Sequence, residues 1–292
     1  MSETAEKKTW RVLELINWTT DYLKGKGFTS ARSDVEWLLT DVLDCSRMEL
    51  YTEFEKPLKQ FELDAFKKLL KRRVNHEPVQ YIIGETEFMG FPFKVDKSVL
   101  IPRPETEILV ERAADWLRSR AENARTVLDV GIGSGCIGVS LARLVPNSQV
   151  TAVDVSGDAL NLAGKNAEIN GVSAQITFWQ LDILSEAPKE TYDMIVSNPP
   201  YIAEDEAETL QEDIHKFEPH EALIAEDDGL TFYRRFALAA REWLTSDGRL
   251  MLEIGGSHQS EAVRKLFKER GWAQITVHKD YNQQDRIIIV EK

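Results

Sequence analysis

Apolar positions along the chain follow two periods, and the change falls near residue 77. Before it the spacing is helical. Trp10, Leu13, Ile16 and Trp18 begin an amphipathic segment that runs to Gly25 and Gly27, residues suited to a helix C-terminus. Ser33 followed by Glu36 reads as a capping box, with Val35, Leu38, Leu39, Val42 and Leu43 on the helix behind it. Ser46 and Glu49 repeat that box, and Leu63, Phe66, Leu69, Leu70 and Val74 form a further stripe. No strand-like alternation interrupts these segments. Residues 1–77 are therefore predicted to form a small helical bundle.

Residues 78–104 have a different texture. Tyr81 to Gly84 and Glu87 to Val95 are rich in β-branched and aromatic residues, broken by Gly84, Gly90 and Pro92. That pattern predicts a β-hairpin linking two domains. Ile101-Pro102-Arg103-Pro104 should be extended, because each proline disfavours helix in the residue before it. From Glu105 onward, Ile108, Leu109, Ala113 and Leu117 restore the helical period.

Residues 105–292 then alternate. Strands are predicted at Thr126–Val130, Gln149–Val153, Gln175–Gln180, Tyr192–Ser197 and Arg249–Ile254. Helices are predicted at Cys136–Val145, Gly157–Asn170, Leu230–Leu244 and Gln259–Arg270. Two closing strands, Ala273–His278 and Arg286–Glu291, have no helix between them and should pair antiparallel. The expectation is an α/β domain with a seven-stranded, doubly wound sheet whose last pair is antiparallel.

Composition narrows the class of activity. No run of eighteen apolar residues exists, and Met1 to Lys8 lack the apolar core of a signal peptide. A cytoplasmic location without membrane contact is expected. Cys45 and Cys136 are too few for a disulfide framework or a zinc cluster, so both read as small buried residues and no metal is expected. The net charge is -13, which opposes phosphate backbones and disfavours nucleic acid as the substrate. Up to Asn75, 14 Lys and Arg stand against 13 Asp and Glu, so the acidity belongs to the remainder, at -14. Lys67, Lys68, Lys71, Arg72 and Arg73 gather in the helical region. They form either a solvated face or a docking surface for an acidic protein or RNA.

Asp129-Val130-Gly131-Ile132-Gly133-Ser134-Gly135 follows the first strand of this domain and opens a helix. Its glycines permit a tight turn and close approach of a ligand, and the helix N-terminus favours an anion. Gly133 to Gly138 also match the dinucleotide fingerprint, with Asp154 at the end of the next strand as acceptor for ribose hydroxyls. A nucleoside cofactor follows, and these residues do not say which. Asp129 can order the glycine turn or reach the amino group of a methionine moiety. Asp182-Ile183, after the third strand, can meet an adenine amino group and pack on its ring.

Asn198-Pro199-Pro200-Tyr201 stands after the fourth strand, at the same sheet edge. Two prolines stiffen the segment, so backbone carbonyls keep a set direction. With the Asn198 side-chain carbonyl and the Tyr201 ring, they suit a planar –NH2 group: two acceptors for its hydrogens and an aromatic face for its plane. An amide nitrogen is a poor nucleophile. Holding it about 3–3.5 Å from a strong methyl donor is where such a site helps most.

At these residues the chain resembles the bacterial peptide chain release factor glutamine methyltransferases, the PrmC/HemK family. The resemblance spans nearly the whole length. It includes Glu77 to Gly84, Ile101 to Glu107, Gly131 to Gly135, Val196 to Ile202, and Phe217-Glu218-Pro219 followed by Ala222-Leu223. It implies a class I Rossmann-like methyltransferase fold at 105–292, behind a helical domain that docks the release factor. It implies S-adenosylmethionine as cofactor, S-adenosylhomocysteine as product, and the glutamine of a Gly-Gly-Gln motif as substrate. By position, Asp129, Gly131 to Gly135, Asp154, Asp182, Ile183 and Asn198 contact the cofactor, and Asn198 to Tyr201 hold the glutamine. Glutamine methylation of a ribosomal protein, adenine methylation of nucleic acid, an NAD-dependent oxidoreductase and a non-catalytic adaptor are the competing readings. An oxidoreductase would leave Asn-Pro-Pro-Tyr unused, and an adaptor would not need the glycine loop.

Overall fold

The protein is described by a computed structural model over residues 9–120 and 125–292. It divides into two compact units, one ending at Gly84 and the other running from Glu85 to Lys292.

The first unit holds α1 (Val12–Lys24), α2 (Ala31–Leu43), α3 (Arg47–Thr52), α4 (Gln60–Val74) and α5 (Val79–Ile83). Its core joins Ile16 and Leu23 of α1 to Val35 and Leu38 of α2, Leu50, Phe66 and Val79. The buried face of α1 is Val12, Leu15, Ile16, Thr19, Thr20 and Leu23, which is a shifted phase from the expected stripe. Trp18 is 52% exposed. Its ring stacks on Tyr22 at 5.6 Å, one turn along the same helix, and meets Trp10 edge-on.

Three further expectations change here. Ser33 and Glu36 do not cap a helix: α2 starts at Ala31, and Glu36 is buried inside it, accepting from Arg32, Arg47 and Tyr51. Ser46 and Glu49 do form the box, at α3. Tyr81 to Ile83 are helical, because Gly84 at φ 78° closes the short α5 before any strand begins. The basic cluster also splits. Arg72 makes a two-pronged pair with Glu77, and Arg73 is buried against Asp34 at 2.8 Å and lies over the Phe28 ring. Lys67, Lys68 and Lys71 remain exposed.

The second unit begins with a short hairpin, β1 (Glu85–Phe88) and β2 (Phe91–Lys94), followed by α6 (Pro104–Ser119). The hairpin is fastened to this unit. Asn166 exchanges two hydrogen bonds with the Lys94 backbone, and Asn170 donates to the Pro92 carbonyl. Alternating elements follow: β3 (Arg125–Val130), α7 (Cys136–Leu144), β4 (Ser148–Asp154), α8 (Gly157–Ile169), β5 (Ile176–Gln180) and β6 (Tyr192–Ser197). Then come α9 (Glu212–Phe217), α10 (Thr231–Trp243), β7 (Leu244–Glu253), α11 (Ser257–Glu269), β8 (Gln274–Lys279) and β9 (Asp285–Glu291).

The seven strands lie in the order β5-β4-β3-β6-β7-β9-β8. Neighbours are parallel from β5 to β7, and β9 is antiparallel to both β7 and β8. Side chains alternate between two cores as the pleat requires. Val127, Met194 and Val196 face α6, α7 and α8 with Leu109, Leu141 and Ala163. Leu128, Ile195 and Leu250 face α10 and α11 with Phe236, Trp243 and Phe267. Strand order reverses between β3 and β6, so the carboxyl ends of β3, β4, β5 and β6 surround one crevice. Among the described residues, no helix is long and apolar enough to cross a membrane.

The Arg73–Asp34 pair is buried within the first unit. Removing one partner strands the other charge, at a cost of about 3–5 kcal/mol. Arg73→Met is expected to lower the urea stability of the first unit by that order, and denaturation followed by tryptophan fluorescence checks it.

Candidate active site

The turn after β3 is held by two carboxylates. Asp129 is fully buried, and its Oδ2 accepts from the Gly138 N–H at 2.7 Å, in the first turn of α7. A Cβ on Gly138 would stand 2.8 Å from that oxygen, so glycine there is what lets the carboxylate reach the backbone. Asp154, at the end of β4, accepts from Gly133 N–H at 3.0 Å and from Ser156 N–H at 2.9 Å. Gly131 and Gly133 have φ of 73° and 51°, and a Cβ on either would have no close neighbour. The loop therefore turns through a left-handed path with open space beside it, as a ligand-facing turn needs.

Burial pushes the Asp129 carboxyl up to about 7 against the pull of the Gly138 N–H. Burial also raises Asp154, against its backbone donors. Cys136, at the start of α7, is pushed up to about 12 by burial and stays a neutral thiol.

Of the residues singled out in the sequence, Gly131, Ile132, Gly133, Ser134, Asp154, Asp182, Ile183, Asn198, Pro199 and Pro200 line one cavity of about 290 Å³. Asp129 lies behind the loop that it braces. Gly135 packs away from the cavity, where a Cβ would press on Val139 and Ala163 at 3.1 and 3.3 Å. Tyr201 is also outside the lining. Its ring packs with the second core beside Gly255, and its carbonyl accepts from Gln259 at 3.1 Å. The aromatic side chain on the cavity wall is Phe232 of α10. Asp182 is tied into its own turn, accepting from Leu184 N–H and the Ser185 hydroxyl.

Several wall residues carried no assigned chemistry in the sequence. Pro102 and Arg103 come from the extended entry to α6, Thr106 from its first turn, and Pro219, Glu221 and Ala222 from the segment after α9. Glu218 joins the two segments: it is buried and accepts from Arg103 at 2.5 Å and from the Ile101 N–H at 3.3 Å. Desolvation raises its pKa, opposed by the Arg103 guanidinium. At the end of β7, Glu253 is buried and accepts from the Thr106 hydroxyl at 2.7 Å. Thr106 in turn lies 3.3 Å from Asn198 Nδ2. Polar residues at the end of a strand and in a helix's first turn were the available signal for both.

The charges on the cavity wall discriminate between cofactors. Asp154, Asp158, Asp182 and Glu221 line it, and Arg103 is neutralised by Glu218. Such a wall suits a cationic nucleoside ligand bearing sulfonium and ammonium groups, and it opposes a pyrophosphate.

Comparison with known proteins agrees with this geometry. Residues 14–84 match the PrmC N-terminal domain and residues 106–217 the methyltransferase small domain. The release factor glutamine methyltransferase of Geobacter sulfurreducens is 42% identical over 285 residues, covering 98% of both chains. That of Chlorobaculum tepidum is 42% identical over 288 residues, covering 96% of this chain and 97% of its own. The chain belongs to the release factor glutamine methyltransferase family. Its fold is shared with a methyltransferase from Pyrococcus furiosus at a TM-score of 0.50 and 17% identity, over 70% of this chain and 90% of that one.

Within this methyltransferase, Glu253 is a costly group to bury. Burial lifts it from an ordinary 4.5 to about 7, opposed by the Thr106 hydroxyl and by Arg286 and Arg103. Below 4.5 it is protonated in folded and unfolded chains alike. Between 4.5 and about 7 the unfolded chain releases a proton that the folded chain keeps, so its contribution to stability is lost as pH rises through that window. Glu253→Gln is neutral throughout. Its melting temperature relative to the unsubstituted protein should therefore rise between about pH 4 and about pH 8, and parallel melting curves across that range would contradict the assignment.

Proposed function

We propose that this protein transfers a methyl group from S-adenosylmethionine to the side-chain amide nitrogen of the glutamine in the Gly-Gly-Gln motif of peptide chain release factors. The observation that carries this reading is that Asn198 and the two prolines behind it share one acidic cavity with Asp154 and the glycine loop. The family's named activity supplies the substrate.

When bound, S-adenosylmethionine supplies an electrophilic methyl group on a positively charged sulfur. The protein's residues do the positioning. Asp154 accepts from ribose hydroxyls, Asp182 and Ile183 receive the adenine, and Gly131 and Gly133 let the backbone come close. Asn198 Oδ1 and the carbonyls of the proline segment take the two hydrogens of the substrate –NH2, which aims its nitrogen. These acceptors also favour positive charge developing on the N–H groups. The proton leaves to water, and S-adenosylhomocysteine is the other product. With the Tyr201 ring packed beside Gly255, Pro200 and Phe232, which line the cavity, would meet the plane of the amide.

The first unit is proposed to grip the release factor away from the reacting amide, with Lys67, Lys68 and Lys71 as its exposed basic face. The cofactor motifs all lie beyond Gly84, which leaves recognition as the task of the helices before it.

Incubation with labelled S-adenosylmethionine and an unmethylated release factor, followed by mass spectrometry, is expected to place one methyl group on the motif glutamine. Label on an adenine, on another side chain or nowhere defeats the reading. Asn198→Ala should slow single-turnover transfer on the order of 10²–10³-fold while cofactor binding persists. A factor carrying glutamate at that position should not be methylated, because acceptors facing a carboxylate have no hydrogens to receive.

Asp154→Ala should weaken cofactor binding by about 1.5–3 kcal/mol for each charge-assisted bond lost. Calorimetric titration reads this directly, and unchanged affinity would remove Asp154 from the site. Changing Lys67, Lys68 and Lys71 together to alanine should raise KM for the intact factor and leave cofactor affinity alone. Identical KM values would show that this face does not dock the substrate.

A further inference from the structure

Three polar groups from distant parts of the sequence meet beside the cavity. Thr106 is in the first turn of α6, Glu253 is the last residue of β7, and Asn198 directly follows β6. Thr106 and Glu253 are each 1% exposed. The Thr106 hydroxyl donates to Glu253 Oε2 at 2.7 Å, and Asn198 Nδ2 stands 3.3 Å from Thr106 Oγ1. The far end of β7 is itself fixed, because the Tyr233 hydroxyl donates to the Glu253 carbonyl at 2.8 Å.

A hydroxyl has one hydrogen. Given to Glu253 Oε2, which accepts it, that hydrogen leaves the Thr106 oxygen able only to accept from the Asn198 amide. An acceptor at that point selects the NH2 end of the Asn198 amide. The two ends of an amide are nearly the same shape, so sterics alone would leave both orientations open. The chain from Glu253 to Thr106 to Asn198 breaks that degeneracy by hydrogen-bond polarity.

Resting on the reading that Asn198 accepts from the substrate amide, we propose that Thr106 and Glu253 are positioning residues that lock the Asn198 side chain with Oδ1 toward the substrate. In the reversed orientation Nδ2 would face the substrate. A donor there repels the –NH2 hydrogens and attracts the substrate carbonyl, so the glutamine still binds but its nitrogen is displaced. Loss of the lock therefore lowers kcat more than it raises KM.

The test is a double-mutant cycle on the full-length protein, with an unmethylated release factor as substrate. Thr106→Val keeps the shape and removes the hydroxyl. It should lower kcat about tenfold or more, with KM for the factor and affinity for S-adenosylmethionine within about twofold of the unsubstituted protein. Thr106→Ser restores the hydroxyl and should restore most of the rate. In an Asn198→Ala background Thr106→Val should cost little further, because the group it orients is gone. Glu253→Leu should follow the same pattern. The cofactor titration shows that each variant is folded.

Unimpaired kcat in Thr106→Val overturns the proposal. So does a Thr106→Ser variant as slow as the valine one, or a valine effect undiminished in the Asn198→Ala background. Mapping the product of the unsubstituted protein separates the two levels. If its methyl group is not on the glutamine nitrogen, the functional reading falls and the positioning role falls with it. If it is, the cycle judges Thr106 and Glu253 alone.

Discussion

The turn between β3 and α7 is braced from two sides by carboxylates, and the site is arranged around that bracing. Asp129 pulls the first turn of α7 down through Gly138, and Asp154 holds Gly133 from the neighbouring strand. Each bond needs a glycine. At Gly138 a side chain would occupy the space of the carboxylate oxygen, and at Gly133 the backbone turns left-handed. The glycines of the motif thus have separate causes. Gly131 and Gly133 serve the turn, Gly135 both the turn and the packing of α7 against α8, and Gly138 the reach of Asp129.

The same arrangement gathers carboxyl groups where water is scarce. Asp129, Asp154, Glu218 and Glu253 all sit at or near the carboxyl edge of the sheet, and burial raises the pKa of each. A fold selected only for stability would place apolar residues at such points, since a buried charge is expensive even when paired. The cost has a local return. Acids at the sheet edge make the cavity attractive to a cation, and buried acceptors such as Glu253 set the hydrogen-bond polarity of what surrounds them.

The sheet was legible because its signals are local. Alternating strand and helix periods, the glycine turn and the missing helix before the last strand fixed the elements and the antiparallel end, as the pairing of β9 with β7 and β8 bears out. The phase of α1 was not legible. Trp10 and Trp18 were placed on the expected apolar stripe, yet α1 buries smaller residues and leaves Trp18 to stack on Tyr22. Arg72 and Arg73 read as surface charge because their partners, Glu77 and Asp34, become partners only when the helices pack. Thr106 and Glu253 stayed silent for a similar reason, being 147 positions apart in sequence. Tyr201 was the opposite case, a motif residue whose place in the motif drew attention to its ring, whereas its ring is spent on the core.

Asn166 fastens the hairpin to α8 and also donates to the Ser134 carbonyl in the glycine turn. Its bonds to Lys94 span 72 residues, and the bond from Asn170 to Pro92 spans 78. Synthesis runs from the N-terminus, so the hairpin emerges from the ribosome well before the side chains that hold it. Its strands are four residues each, too short to persist alone in water. The first piece of the second unit to be made therefore waits for α8, whose Asn166 amide also reaches the glycine turn.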